Sequence, residues 1–333
     1  MKLIVQIPCL NEEQTLPATL AAIPRNIPGV DVVEILIIND GSTDSTSEVA
    51  KEHGANHILE HSVNQGLGRA FRAGIDQALK LGADIIVNTD GDGQYAGEYI
   101  PALIDPILNS NADIVVGDRQ TASIDEFGLS KKFLQWMGSY AARTLSDTNI
   151  PDAVSGFRAI SRGAALQLNI LSKFSYTVEM IIQAGNKQMN IVSVPVRVNK
   201  KTRPSRLFRS TPHFVMKQMV GMLRMYAMYR PMRFFFYLAT FISILGLVPI
   251  IRFLLNYLEG NGAGNIQSLI LGGALLTMGF TVFVTGLLSD LISQNRQLSE
   301  ITLTKIREME LRTTGGAQER PPAIDSESQL SRE

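Results

Sequence analysis

The first third of the chain alternates short apolar runs with amphipathic stretches, and this alternation limits the possible folds more than any other feature. Apolar runs at Leu3–Ile7, Val32–Ile38, His57–Leu59, Ile85–Thr89 and Ile114–Val116 read as strands. Helical patterns fall between them near 13–23, 43–53, 68–81 and 98–109. Near-continuous apolar strands separated by helices imply an α/β fold with a mainly parallel sheet covered on both faces. In such sheets ligands bind beyond the carboxyl ends of the strands.

The polar motifs fall at those ends. Pro8-Cys-Leu-Asn11-Glu12 follows the first strand and Asn39-Asp40-Gly41-Ser42 the second. Asn64-Gln-Gly66-Leu-Gly68-Arg69 opens a helix, and Gly117-Asp118-Arg119 follows the fifth strand. The most telling is Asp90-Gly91-Asp92-Gly-Gln94, where the chain leaves a buried strand and presents two carboxylates with an amide two positions on. Its glycines permit a sharp turn and a close approach to a ligand. Hard cations such as Mg²⁺ or Mn²⁺ take oxygen ligands and share them with substrate phosphates, so this turn is a candidate holder of a metal–diphosphate. A lone Asp-x-Asp is more often a solvated acidic turn; its company of other strand-end motifs argues for the metal.

Formal net charge is zero over 333 residues, which gives no global field for nucleic acid. Charge is nonetheless concentrated: Lys200 to Arg233 contains nine Lys and Arg and no acidic residue. The single cysteine, Cys9, excludes an internal disulfide and a Cys-based zinc site, and its place at the end of an apolar strand marks it as a packed small residue. The opening Met-Lys-Leu-Ile-Val-Gln-Ile-Pro reads as a strand rather than a leader, because an Asn/Glu segment follows directly.

The mixed region from 120 to 200 suggests a helix over about 130–146, the segment Asp152-Ala-Val-Ser155-Gly156-Phe157-Arg158, a helix near 176–187 and a strand over Ile191–Val198. Farther on, Phe234–Ile251 and Ile266–Leu288 carry no charge, and each is long enough to cross roughly 30 Å of hydrocarbon. Their linker, 259–265, has no Lys or Arg, while basic residues flank the outer ends. The positive-inside rule then puts both termini and residues 1–210 on the cytoplasmic side of a multi-pass membrane protein. Residues 211–232, with Met, aromatics and spaced cations, suit interfacial amphipathic helices. The paired spans occupy 233–292, and 293–333 reads as a charged cytoplasmic helix with a polar tail expected to be disordered. Gly272, Gly273, Ala274 and Gly279 are small enough to pack helices within one chain or between chains of a homo-oligomer.

The five motifs Pro8-x-x-Asn11-Glu12, Asn39-Asp40-Gly41-Ser42, Asn64-x-Gly66-x-Gly68, Asp90-Gly-Asp92-Gly-Gln94 and Ser155-Gly156-Phe157-Arg158 come in the order and spacing of family 2 glycosyltransferases. The chain most resembles the polyprenol-phosphate members, over about residues 1–210. The resemblance implies a GT-A catalytic domain that moves a hexose from a nucleotide-diphospho-sugar, GDP-mannose or a UDP-sugar, to undecaprenyl or dolichyl phosphate. It places Pro8, Leu10, Asn11, Glu12 and Gly91 in the nucleotide-sugar pocket, Asp40 at the base or ribose, and Gly68 and Arg69 nearby. Asp90, Asp92 and Gln94 would hold Mg²⁺ or Mn²⁺, with Asp92 counted as catalytic. Arg119 resembles an arginine that meets the acceptor phosphate, with Arg143 and Ser155 as further acceptor-phosphate residues. Arg203 and Arg206 resemble the basic residues of a mobile loop, and Arg206 stands where a lysine is common. A structural ion pair is the competing role for Arg119, Arg143 and Arg158.

A lipid monophosphate is already ionised near neutral pH, so the reaction needs positioning and charge neutralisation rather than a strong base. The chain offers no evident His base: His53, His57 and His61 are expected away from the motif ends. In-line displacement, the family mechanism, inverts the anomeric carbon. Asp90-Gly-Asp92-Gly departs from the Asp-Ala-Asp-Leu wording common in the family, which weakens inference about the donor and leaves the carboxylates intact. Three other readings are weaker. A processive polysaccharide synthase would carry Gln-x-x-Arg-Trp before its spans, whereas the one tryptophan, Trp136, lies in Leu-Gln-Trp-Met. A dinucleotide oxidoreductase would need G-x-G-x-x-G after the first strand. A non-catalytic membrane-anchored scaffold on the same fold conflicts with the complete set of metal-type ligands, and transfer to a different lipid or glycan acceptor stays open.

Overall fold

The computed structural model describes residues 1–120, 143, 148, 150–172, 176–199, 220–221, 223–224, 226–260 and 266–318. The expected helix over 130–146, apart from Arg143, the basic loop holding Arg203 and Arg206, and the tail from 319 lie outside the described residues. The chain divides into two compact units, Met1–Leu207 with Ile301–Glu333, and Phe208–Glu300.

The first unit is built on seven strands: β1 (Lys2–Cys9), β2 (Val32–Asn39), β3 (His57–Glu60), β4 (Ile85–Asn88), β5 (Ile114–Asp118), β6 (Arg158–Ser161) and β7 (Ile191–Pro195). They form one sheet in the order β3-β2-β1-β4-β6-β5-β7. All neighbours are parallel except β6, which runs antiparallel to both β4 and β5. The helices are α1 (Leu16–Ala21), α2 (Thr46–Glu52), α3 (Leu67–Lys80), α4 (Ile100–Ser110), α5 (Arg162–Gln167) and α6 (Thr177–Asn186).

The strands are apolar on both faces because both faces are covered. Leu3, Val5 and Ile7 of β1 share a core with Leu16 of α1, Ala50 of α2 and Leu103 of α4. On the other face α3 lies over β1 and β2. There Gly74 gives the room that polar Gln6 requires: a Cβ at 74 would stand 2.5 Å from the Gln6 Oε1. This layering leaves the carboxyl ends of β2, β1 and β4, and that of β5 beyond antiparallel β6, at one end of the sheet, where the motifs gather.

Also in this unit, Arg307 donates to the carbonyls of Leu166 and Leu168 at 3.2 and 3.1 Å and faces Asp76 of α3 at 3.4 Å. A cation there satisfies the carbonyls left over at the end of α5.

The second unit is helical. Residues 220–221, 223–224 and 226–229 are helical, followed by α7 (Pro231–Leu258), while 211–219 lie outside the described residues. The last helix, α8 (Ile266–Gln318), runs 53 residues without a break and belongs to both units. The sequence reading separated a span ending near 292 from a following charged helix. The structure joins them, since 288–300 contains neither Gly nor Pro to stop the helix. Both α7 and α8 are long and apolar enough to cross a membrane. Gly272 and Gly279 lie against α7, where added Cβ atoms would stand 2.4 Å from Ile250 and from Ser243, whereas Gly273 has nothing within 4 Å.

Candidate active site

The loops after β1 and β2 lock together through side chain–backbone bonds. Asn11 takes a positive φ of 56°, a conformation asparagine tolerates better than most residues. Its N–H donates to the Ser42 Oγ at 2.9 Å, and its Oδ1 accepts from the Thr43 N–H at 2.8 Å. The Glu12 N–H donates to the Thr46 Oγ1 at 2.9 Å, and the Ser42 N–H to the Asn39 Oδ1 at 2.8 Å. Between the loops lies a cavity of about 240 Å³ lined by Asn11, Glu12, Thr15, Thr43 and Asp44 among others. Pro8 and Leu10 are half-buried, on β1 and just after it, and neither lines that cavity.

Asp40 is nearly buried, at 4 % exposure, and its carboxylate turns toward the chain. It accepts from the Gln65 and Gly66 N–H groups, both at 2.9 Å, and bonds the His61 Nδ1 at 2.8 Å. Gly41, at φ +75°, permits the approach, because a Cβ there would stand 2.7 Å from the Asn64 N. Asp40 thus fixes the Asn64–Gly68 turn that opens α3, with Gly68 buried and Arg69 exposed in the helix's first turn. The expectation that all three histidines lie away from the motif ends is corrected for His61, which the β3 register brings against Asp40.

The Asp90–Gln94 turn is held from below. The Gly91 carbonyl accepts from the hydroxyls of Thr15 and Thr19 at 3.0 and 3.3 Å, and the Gln94 N–H donates to the Asp92 Oδ1 at 3.0 Å. A Cβ on Gly91 would stand 3.1 Å from the Cys9 Sγ. Cys9 is buried, and burial pushes its thiol far above the ordinary range, in keeping with a packed role. Asp90, Asp92 and Gln94 are each partly exposed at that end of the sheet. Gly156 lies beside Asp90, and a Cβ there would stand 3.2 Å from both carboxylate oxygens.

Among the described residues no group of three or more His, Cys, Asp and Glu forms a metal cage. Mg²⁺ and Mn²⁺ are commonly held by one or two carboxylates with substrate phosphates completing the shell. Two half-exposed carboxylates beside a glycine that leaves space fit a cation that arrives with a diphosphate.

Cationic groups stand close by. Arg119 donates from Nε and Nη2 to the two Asp152 oxygens at 2.7 and 3.0 Å. Burial by itself lowers its pKa, but Tyr95, Asp152 and Asp90 outweigh that and hold the guanidinium above the ordinary arginine range. Arg158 is fully buried and has no carboxylate in its hydrogen-bond set: it donates to the carbonyls of Ser155, Thr177 and Ala153 at 2.9, 2.8 and 2.7 Å. Burial pushes its pKa down to about 10, so it remains a cation at neutral pH. The Ser155 hydroxyl is buried beside Tyr95 and has no partner within hydrogen-bond geometry among the described residues. Arg143 is a half-buried helical residue.

A family model described as glycosyl transferase family 2 matches residues 4–168. Undecaprenyl-phosphate mannosyltransferase of Micrococcus luteus is 30 % identical over 206 residues, 59 % of this chain and 83 % of that one. The chain belongs to glycosyl transferase family 2. Dolichyl-phosphate hexose transferase of Haloferax volcanii is 28 % identical over 197 residues, covering 59 % of this glycosyltransferase and 82 % of that protein. The fold is GT-A. Glucosyl-3-phosphoglycerate synthase from Mycobacterium tuberculosis, crystallised with Mn²⁺, UDP and phosphoglyceric acid, superimposes with a TM-score of 0.52 at 19 % identity, over 66 % of this chain and 78 % of that one.

The sequence reading of this glycosyltransferase missed the groups that hold the site residues. Asp152, Thr15, Thr19, Asn88, Tyr95 and Tyr176 were not singled out. Asn88 carried a signal, as a polar side chain inside an otherwise apolar strand.

Proposed function

We propose that this glycosyltransferase is membrane-anchored and moves a hexose from a nucleotide-diphospho-sugar to a polyprenyl phosphate, inverting the anomeric carbon. The observation that carries the reading is that Asp90 and Asp92 stand at the same end of the sheet as the Arg119 cation, which Asp152 holds and which feels the Asp90 charge, in a chain with two membrane-length apolar helices. The names of the bacterial and archaeal relatives support the acceptor class, and the Mn²⁺ in the structurally similar synthase supports the cation.

In this reading Asp90 and Asp92, with Gln94 beside them, hold Mg²⁺ or Mn²⁺ against the donor diphosphate. When bound, the cation neutralises charge on the leaving group. Asn11 and Glu12 line the cavity between the loops, and Pro8, Leu10, Gly91, Gly68 and Arg69 are assigned to the nucleotide-sugar with them. A phosphate oxygen of the acceptor forms the new bond to the anomeric carbon as the bond from that carbon to the diphosphate oxygen breaks. The electron pair leaves with the nucleoside diphosphate. No proton need move, because the acceptor is already ionised. Arg119 supplies fixed positive charge, which stabilises such a transition state without reorganisation. Arg143 and Ser155 are assigned to the acceptor phosphate, and Arg203 and Arg206 to charge neutralisation at the diphosphate. The catalytic domain and both termini face the cytoplasm, and the basic 200–233 stretch meets anionic headgroups.

The test is transfer from a panel of GDP- and UDP-sugars to undecaprenyl phosphate by the detergent-solubilised chain with Mn²⁺ or Mg²⁺. Transfer from one donor, abolished in EDTA, is the expected result. Failure with every donor, together with no metal-dependent nucleotide binding, would favour the non-catalytic scaffold.

A further inference from the structure

Beneath Asp90 runs a buried polar chain. The Gln6 Nε2 of β1 donates to the Asn88 Oδ1 of β4 at 3.0 Å. The Asn88 Nδ2 lies 2.9 Å from the Gly156 carbonyl and 2.7 Å from the Tyr176 hydroxyl, which itself donates to that carbonyl at 3.1 Å. On the other side of the Cα, the Gly156 N–H donates to the Tyr95 hydroxyl at 3.0 Å. Gln6 and Asn88 are 0 % exposed, Tyr176 is 1 % exposed and Tyr95 is 4 % exposed. Both rings are braced, Tyr176 stacked on Phe71 at 3.8 Å and Tyr95 on Phe157 at 5.2 Å.

Burying polar groups is costly unless they are satisfied, and a satisfied set fixes one arrangement. The Gln6 Oε1, at the far end, has no hydrogen-bond partner among the described residues, whereas the Asn88 amide, both tyrosine hydroxyls and the Gly156 N–H and carbonyl are all paired. The arrangement fixed here is the Gly156 backbone, gripped on one side of its Cα at the N–H and on the other at the carbonyl. The two Asp90 oxygens lie 3.2 Å from the position a Cβ of Gly156 would take, and the Tyr176 hydroxyl lies at the same distance on the network side. We propose that Asn88 and Tyr176 are positioning residues for Asp90: they hold the Gly156 peptide as the fixed surface against which that carboxylate is set for a cation–diphosphate. The inference rests on the functional reading above. It adds that this geometry is imposed from within the core, by residues that touch neither substrate nor cation.

The experiment measures Mn²⁺ binding by the paramagnetic resonance signal of free Mn²⁺, using the full detergent-solubilised chain with UDP and, separately, with GDP. Tyr176→Phe keeps the stack on Phe71 and removes only the hydroxyl. It is expected to weaken Mn²⁺ binding about tenfold, the usual scale for a group that orients a metal ligand. Gly156→Ala leaves the hydrogen-bonding groups in place and puts a methyl against the carboxylate, so it is expected to weaken binding at least as much. Asn88→Ala tests the same peptide from β4. Glu34→Gln, at the opposite end of the sheet, controls for stability and is expected to leave Mn²⁺ affinity unchanged whatever its thermal midpoint. Wild-type affinity in Tyr176→Phe and Gly156→Ala would overturn the proposal while leaving the functional reading intact. Weakening that merely tracks the thermal midpoint, with Glu34→Gln on the same line, would overturn it as well. No Mn²⁺ binding by the unaltered chain with either nucleotide would overturn the functional reading and this inference together.

Discussion

Arg119 grips Asp152 with two parallel hydrogen bonds, Nε to Oδ2 at 2.7 Å and Nη2 to Oδ1 at 3.0 Å. Asp152 is 2 % exposed, so the carboxylate has little water to fall back on. Removing one partner of a buried pair strands the other charge, which typically costs about 3–5 kcal/mol. Asp152→Ala should therefore lower unfolding stability on that scale, read from urea denaturation of the full chain in detergent. Arg119→Lys keeps the charge but not the fork. It should retain more stability than Asp152→Ala and still lose most transfer activity. Equal stability in all three proteins would remove the pair from any account of the site.

Asp92 is partly exposed and accepts the Gln94 N–H on its Oδ1 at 3.0 Å. An asparagine retains that acceptor and drops the charge. Asp92→Asn should lower transfer by roughly a hundredfold or more, the scale of losing one electrostatic stabiliser in an active site. Its thermal midpoint should fall less than that of Asp152→Ala, whose carboxylate is buried. A lowered midpoint with activity preserved would make Asp92 a turn residue.

Asp40 supplies acceptors to two backbone N–H groups and a ring nitrogen of His61. In Asp40→Asn one of the two oxygens becomes an N–H₂ facing a donor. The unsatisfied N–H costs about 1–3 kcal/mol, and the turn before α3 loosens. The expected signature is a donor KM that rises more than kcat falls, measured at saturating acceptor. A change in kcat alone would place Asp40 in the chemistry instead.

At the opposite end of the sheet, Glu34 bonds Lys2 and His57, each at 2.8 Å. Burial alone would raise its pKa, but the hydrogen bonds from Lys2 and His57 outweigh that and hold it below the usual glutamate range. A depressed carboxylate contributes stability that is fully present above its unfolded pKa, about 4.3, and is lost as pH falls through the folded value. Glu34→Gln should therefore destabilise the protein at pH 7 and flatten the acid limb of the stability profile. An unchanged acid limb would show that the pair contributes nothing at this exposure.

The parts legible in the sequence were those set by local pattern. β1, β2, β4 and β5 are near-continuous apolar runs, and glycine and aspartate mark the chain where most of them end, so the sheet and its functional end followed. β6 did not follow: Arg158-Ala-Ile-Ser161 is short and begins with a charged residue, whose guanidinium is buried on the carbonyls of Ala153 and Ser155 just upstream and of Thr177. Asp40 was legible as a site residue, but the partner that sets its direction, His61, arrives through β2–β3 register. Likewise Asp90 was legible and its setting was not, since Tyr176 reaches Gly156 across 20 residues and Asn88 across 68. Patterns of spacing reveal which groups are present at a strand end; long-range packing determines how they are held.

The most direct test of the account is the chemical structure of the lipid product, by intact mass and by the anomeric coupling in its NMR spectrum. Direct displacement predicts one phosphate between lipid and hexose, and an anomeric configuration opposite to that of the donor. A diphosphate linkage, a retained configuration, or release of free sugar with no lipid product would contradict it.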